Sequence, residues 1–320
     1  MTNLTPPHPL GSTAGRSRVV VIGDALIDEL HDDAGSTEFV GGAALNVAVG
    51  LATLGVETTL VAMVGDDDGG ARIREFLDEH GVRLLATSGT NGTARAVSTR
   101  QRGEPIYEFN AAARARSIEF SDPSVGSAFS DARLVVVSSF PFDDQQQFAA
   151  LRDAIGHPES RLILDPNPRA GMMQDRTRFA RNFEQLAASA LVTKVSDEDA
   201  AMLGYASLAD LEALTLASGS QFVLTTEGAA GAAVASRDGL RVAVPIRELP
   251  GAVVDTMGAG DATLATIAAS IAVNGTPHDS AGWTGTLDSA MLVAAATCRA
   301  SGALIQLPSG FRAGGHSPAI

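Results

Sequence analysis

Asp255-Thr-Met-Gly-Ala-Gly-Asp261 runs straight into the apolar stretch Ala262–Val273, so two glycines and a carboxylate stand at the head of a helical pattern. Gly258 and Gly260 let the backbone approach an anion closely, and a helix N-terminus turns unpaired N–H groups toward it. Asp261 sits where a charge would touch the group being transferred. This grouping suits phosphoryl transfer.

Other residues are spaced for ligand contacts. Gly41-Gly42-Ala-Ala-Leu-Asn46 opens a second Ala/Val-rich pattern. Its paired glycines permit close backbone approach, and Asn46 carries both donors and an acceptor for sugar hydroxyls. Asp28 ends Gly23-Asp-Ala-Leu-Ile-Asp28 and can accept two hydroxyl hydrogen bonds, or cap a turn. Asp24 is less favoured, on the expectation that strand alternation turns it the other way. Asp165-Pro-Asn167-Pro-Arg169 is stiffened by its prolines, and Arg169 could meet a phosphate bidentately. In Lys194-Val-Ser196-Asp-Glu198-Asp199 the acids could hold Mg²⁺ through water, or simply cap a helix. Thr226-Glu-Gly228-Ala-Ala-Gly231 reads as a glycine turn that could flank a nucleotide or close a hairpin. Gly65-Asp-Asp-Asp-Gly-Gly70 reads as a solvated loop capping the next helix.

These residues need a frame. Short apolar runs at Arg18–Ile22, Leu134–Val137, Leu162–Leu164, Ala190–Val192, Phe222–Thr225 and Ala232–Ala235 predict buried strands. Helical patterns at Ala43–Leu54, Gly70–His80, Asp144–Ile155, Arg176–Ala188, Asp197–Leu203, Leu208–Ala217, Ala262–Val273 and Leu287–Ala300 lie between and after them. Such alternation predicts an α/β fold, a doubly wound and mostly parallel sheet with helices on both faces. Ligands then bind beyond the carboxyl ends of the strands. Thr37–Val40 and Ala94–Phe109, the latter broken by Arg102-Gly103-Glu104-Pro105, have strand character without a helix between. They predict a small β-sheet lid, inserted from about 31–41 and 93–112.

Composition narrows the function classes. The 320 residues are 45% hydrophobic and 19% charged, without an uninterrupted apolar run of spanning length, so a globular, non-membrane, cytoplasmic protein is expected. Residues 1–17 read as a disordered leader and 18–320 as one large α/β domain with an insertion. A net charge of −14 argues against nucleic-acid binding and requires a polyphosphate's charge to be met locally. One cysteine, Cys298, and six scattered histidines provide no Cys-cluster or His-Glu-x-x-His metal site.

With these motifs in order, the chain resembles the ribokinase-like (PfkB-type) carbohydrate kinases from about Arg18 to about Gln306. Two signatures carry the resemblance: Gly41-Gly42 through Gly55, and Asp255–Asp261 with its helix. No Gly-Lys-Ser/Thr follows the glycines, so this is not a Walker A site. The resemblance implies that Asp261 is the catalytic base and that Gly258, Ala259 and Gly260 form an anion hole. On the sugar side it implies Asp28, Gly41, Gly42 and Asn46, with Asp165, Asn167 and Arg169 assigned there too. Thr226, Gly228 and Gly231 would border the adenine nucleotide, with Lys194, Ser196, Gly258 and Gly260 beside its phosphates. Asp255 and Thr256 look like part of the monovalent-cation loop of many members. Where many members carry Asn-x-x-Glu this chain has Ser196-Asp-Glu-Asp199, leaving Glu198 and Asp199 as alternatives for organising Mg²⁺.

The blocks look most similar to bacterial fructokinases. The implied activity is ATP-dependent phosphorylation of a sugar, with Mg²⁺ and, in many members, K⁺, by a homodimer joined through the lid. Ribose, 2-keto-3-deoxygluconate, a phosphorylated sugar and a nucleoside are alternative acceptors, and a catalytically silent sugar- or nucleotide-binding protein is the alternative from another class. A dinucleotide-dependent oxidoreductase would want Gly-x-Gly-x-x-Gly after the first strand, which Gly23–Asp28 lacks.

Overall fold

The computed structural model describes residues 18–32, 35–101, 104–156 and 161–311. The expected leader and the Arg102-Gly103 turn lie outside them, as do the side chains of residue 32 and of residues 99–107.

In β1 (Arg18–Gly23) Val19 and Val21 join one hydrophobic cluster while Val20 and Ile22 join another. A strand buried on both faces has no polar side, hence the continuous apolar run. The chain continues through β2 (Leu26–Asp32), β3 (Gly35–Gly41), α1 (Ala43–Thr53), β4 (Glu57–Met63), α2 (Asp68–Glu79), β5 (Arg83–Thr87), β6 (Arg95–Gln101), β7 (Glu104–Phe109) and α3 (Ala111–Arg114). Next come α4 (Pro123–Asp131), β8 (Leu134–Ser138), α5 (Gln145–Ile155), β9 (Leu162–Asp165), α6 (Arg176–Ala187), β10 (Val192–Ser196), α7 (Asp197–Leu203) and α8 (Leu208–Ser218). The last elements are β11 (Phe222–Thr226), β12 (Ala232–Ser236), β13 (Arg241–Val244), α9 (Ala259–Asn274) and α10 (Ser280–Thr297).

Nine strands form the main sheet in the order β13-β12-β11-β10-β9-β8-β1-β4-β5. From β11 to β5 all neighbours are parallel; β12 and β13 add an antiparallel edge. Residues of α1, α2, α9 and α10 fill the core on one face, and residues of α4 through α8 fill it on the other. The expected α/β architecture is therefore present. Among the described residues no helix is long and apolar enough to cross a membrane.

The small sheet has the order β3-β2-β6-β7 and begins at Leu26 rather than near residue 31, which makes Asp28 part of it. Asp28 lies opposite Phe39 on β3 and beside Ala96 on β6, and Ala96 lies opposite Phe109. The other face is charged. There Glu38 accepts from Arg95 and from Arg72 of α2, tying the sheet to the main domain.

Two helix boundaries depart from the periodicity. Helix α9 begins at Ala259, not Ala262, because Gly258 turns the chain with φ +79°. Helix α10 begins at Ser280, where the Asp279 carboxylate accepts from Gly282 N–H at 2.8 Å. Its polar, glycine-containing first turns hide it from an apolar pattern search. The Asp-rich loop behaves as expected, with Asp67 capping α2 through Gly70 N–H at 2.9 Å.

Helices α1 and α9 come unusually close. A Cβ added to Gly50 would stand 2.8 Å from Ala265 Cβ, so only glycine fits at this crossing. Gly50→Val should force the helices apart and lower stability by about 1–3 kcal/mol, the usual range for overpacking. A urea midpoint equal to that of the parent protein would refute the close packing.

Candidate active site

The parallel strands bring their carboxyl ends into line. Gly23 lies beside Ser138, Ser138 beside Asp165, and Ser196 beside Thr226. One step before, Thr193 pairs with Leu164, so Lys194 stands across from Asp165. The two N-termini of α1 and α9 face this edge.

At its centre Asn46 Nδ2 donates to Asp261 Oδ2 at 2.9 Å. Asn46 is buried and its Oδ1 has no partner. Buried amide oxygens are seldom left unpaired, so this one stands out as a free acceptor. Asp261 occupies the first turn of α9. Ala262 N–H makes the first bond of full α-helical span, to Gly258 O at 2.8 Å. The N–H groups of Gly260 and Asp261 have no partner among the described residues, as expected of a helix start. The expected anion hole needs one correction, because Ala259 N–H already donates to Thr256 O at 3.3 Å. A Cβ on Gly258 would stand 2.0 Å from Ala303 O, so the turn depends on glycine there.

Asp28 reaches the same edge from the small sheet. A Cβ on Gly41 would lie 2.2 Å from Asp28 Oδ2, so Gly41 contributes space rather than a contact. Burial lifts the Asp28 carboxyl to about 7, Asp24 and Asp261 add to the shift, and Arg169 opposes it. Burial also lifts Asp261 to about 7; the Asn46 hydrogen bond opposes this, Asp165 adds to it, and Lys194 and Arg169 oppose it. Arg169 therefore lies within electrostatic reach of both carboxyls. Its side chain makes no hydrogen bond or ion pair among the described residues. Asn167, at φ +38°, sits in the same stiff turn.

Four expectations change. Asp165 is fully buried, accepts from Lys194 Nζ at 3.2 Å and lies 3.4 Å from Ser138 Oγ, so it cannot touch a sugar. Asp199 Oδ2 accepts from Ser196 N–H and its own N–H donates to Ser196 Oγ, a capping box that withdraws this buried carboxylate from metal binding. Glu198 beside it is exposed. Asp255 Oδ1 accepts from Met257 N–H and Oδ2 from Gly302 N–H, so the carboxylate ties two loops together instead of standing free as a ligand. Asp24 fails as a sugar ligand for a reason other than alternation, since positions 24 and 28 share parity on a strand. The chain breaks between β1 and β2, and Asp24 turns inward to accept from Ala44 N–H at 3.0 Å and Ser139 Oγ at 3.0 Å. It thereby caps α1, whose N-cap residue Gly42 has no side chain to do so.

Thr226 ends β11 and Gly228–Ala230 forms one tight turn leading to β12. A Cβ on Gly231 would lie 2.3 Å from Val244 O, so this glycine answers to packing against β13. Two residues without any pattern in the sequence also belong to the site. Ser139 takes φ +52° to reach Asp24, and the Arg116 guanidinium lies 3.9 Å from Asp24 Oδ2 with its Nε unpartnered. Among the described residues no group of three or more acidic, His or Cys side chains could hold a metal ion.

The model of the "pfkB family carbohydrate kinase" matches residues 16–309. The chain belongs to this family. A fructokinase of Klebsiella pneumoniae is 31% identical over 303 residues, covering 91% of this chain and 96% of that one. A fructokinase of Rhizobium leguminosarum bv. trifolii is 31% identical over 263 residues, covering 79% of each. Among solved structures, a fructokinase with bound ATP from Xylella fastidiosa aligns with a TM-score of 0.73 at 25% identity, covering 89% of this chain and 93% of that one. The resemblance stated from the motifs is thus borne out, and this pfkB-family chain has the ribokinase-like architecture.

The raised carboxyls weaken this kinase at neutral pH. A carboxyl whose folded value lies above its unfolded value contributes stability that is complete below about 4 and lost as pH rises through about 7. Asp261→Asn should therefore melt at a higher temperature than the parent at pH 8, and the gap should close as pH falls toward 4. A gap independent of pH would contradict the environment described for Asp261.

Proposed function

We propose that this kinase transfers the γ-phosphoryl group of ATP to a hydroxyl of a neutral sugar, with fructose the first acceptor to test. The observation that carries the proposal is the pairing of Asn46 with Asp261 at a helix start whose N–H groups are free. The fructokinase relatives support the choice of sugar, and the ATP bound in the Xylella structure supports the donor.

On this reading the ionised Asp28 carboxylate and Asn46 Oδ1 accept sugar hydroxyls, while Gly41 and Gly42 keep the wall close. Asp261 takes the proton of the attacking hydroxyl. A carboxylate is a weak base for an alcohol, but phosphoryl transfer passes through a loose transition state in which the proton leaves late. Its raised value makes Asp261 a better base than an exposed aspartate. The N–H groups of Gly260 and Asp261 donate to the phosphoryl oxygens, and Arg169 counters their charge. Ser196, Thr226, Gly228 and Gly231 border the nucleotide.

Mg²⁺ would enter with the phosphates and neutralise them; Glu198 is the exposed carboxylate left to face it through water. The carbonyl-rich loop at Asp255 and Thr256, seated on Cys298 O through Val254 and Asp255 N–H, is the place for K⁺. The small sheet is read as a lid that excludes water. Its edge strands β3 and β7, with Phe39 exposed on the face shared with Asp28, are read as the surface where a second copy pairs.

ADP release measured across a panel of sugars and nucleosides, with and without K⁺, tests this directly. Fructose should be turned over, and silence with every acceptor would leave only a binding protein. Asp261→Asn should lose about a hundredfold or more in kcat while sugar binding persists; near-normal kcat would remove the base assignment. The kcat/KM profile should fall on the acid side near pH 7, where Asp261 and Asp28 take up protons. Asn46→Ala removes a hydrogen bond that holds Asp261 down, so the limb should move to higher pH; a fixed limb would exclude Asp261 as its source.

A further inference from the structure

No side-chain partner among the described residues holds the Arg169 guanidinium, yet it acts on both Asp28 and Asp261. Its place in the site is therefore set by the backbone of its turn. That turn closes on Arg169 O, which accepts from Met172 N–H and from Met173 N–H, each at 2.9 Å. The two methionines go to different layers. Met173 packs against the core of the main domain, whereas Met172 is buried in a cluster with Leu26, Ala96 and Phe109 of the small sheet. Gly171 meets the same sheet, since a Cβ there would stand 2.6 Å from Phe109 Cδ2 and 3.1 Å from Cε2. Its φ is not left-handed, so the Phe109 ring, and not the backbone conformation, excludes a side chain. Phe109 lies opposite Ala96, and Ala96 lies beside Asp28. One row of the small sheet thus carries Asp28 at one point and supports the Arg169 turn at another.

We propose that Phe109 is a positioning residue for the reaction: its ring, seated against Gly171, fixes the turn that carries Arg169 and makes the placement of the guanidinium depend on the small sheet. The proposal deepens the kinase reading above and rests on it. Asp28 is faced by Asp24, Arg169 and Asp261, and Asp261 by Asp165, Lys194 and Arg169, with Asn46 donating to it. Arg169 is the cation common to both carboxyls. Lys194 stands on β10 of the main sheet, so of the two cations only Arg169 is tied to the small sheet. Closure of that sheet over an acceptor would then set this charge in the same movement that excludes water.

The test compares Phe109→Ala, Gly171→Ala and Arg169→Gln, and each of the first two combined with the third, by carboxyl NMR titration of the free protein, kcat, sugar KM and melting temperature. Arg169 holds both carboxyls down, so Arg169→Gln should raise the apparent pKa of Asp28 and of Asp261. Phe109→Ala removes the support of the turn and Gly171→Ala drives the turn off the ring, so each should raise both values and move the acid limb of kcat/KM to higher pH. Each should lower kcat by about tenfold to a hundredfold, the scale of loss when a group is misplaced by about 1 Å. In the Arg169→Gln background neither should shift the titration or kcat further, because the group they place is gone. Carboxyl values that stay fixed in Phe109→Ala and Gly171→Ala, a fall in melting temperature alone, a rise in sugar KM alone, or full additivity with Arg169→Gln would each overturn the proposal. The titration needs neither acceptor nor ATP, so it decides whether Phe109 places Arg169 even if no sugar is turned over. Gly171→Ala perturbs the same contact from outside the small sheet, which keeps the test decisive where Phe109→Ala fails to fold.

Discussion

The close crossing of α1 and α9 is the constraint on which the rest of the molecule depends. Asn46 and Asp261 are separated by 215 positions, yet one amide nitrogen must come within hydrogen-bond distance of one carboxylate oxygen. Side chains of ordinary size between the helices would hold their axes too far apart. Gly50 against Ala265 permits the contact, and Ala48, Ala262, Ala268 and Ala269 continue the small-residue surface inside the same core. Small residues give up buried apolar area, and that loss is offset by the sheet face beneath and by larger side chains such as Trp283 and Leu287.

A second constraint is charge. The chain carries a formal charge of −14, and its candidate site adds carboxyls where a polyphosphate is expected. The structure answers by giving most of these acids local partners. Asp24 takes backbone and hydroxyl donors, Asp199 closes a capping box, Asp165 pairs with Lys194 and Asp255 accepts from two loop N–H groups. Burial lifts Asp28 and Asp261 furthest, to about 7, and lifts the capped Asp199 to about 6. The proposed function gives ligand roles to Asp28 and Asp261 and leaves the other acids to hold loops and helix starts in place.

Much of this was legible in the sequence for physical reasons. Central parallel strands are buried on both sides, so β1, β8, β9 and β11 stand out as apolar runs. Strand β4 begins Glu57-Thr-Thr, β13 alternates at an edge, and β2 carries Asp28, Glu29 and His31, so an apolar search passes over all three. The chemistry-bearing types at Asp261, Asn46 and Arg169 were recognisable because few residues can do such work at such spacing. Their partners were not, since partnership depends on which strand ends lie side by side. Asp165 looks like a ligand beside its prolines until Lys194 is placed across from it. Arg116 and Ser139 carry no motif, and only the fold brings them to Asp24.

The inward turn of Asp24 has one more consequence. It anchors α1 from a single short segment, while Asp28, four residues later, belongs to a separate sheet whose other neighbours are Phe39 and Ala96. On the proposed reading, one of the two acceptor contacts, Asp28, thus comes from a different layer than the Asn46–Asp261 pair. A lineage could trade one sugar for another through drift in the small sheet while the helix crossing stayed untouched. The chain changes layer at Ala25, between the inward-turned Asp24 and Leu26, the first residue of β2.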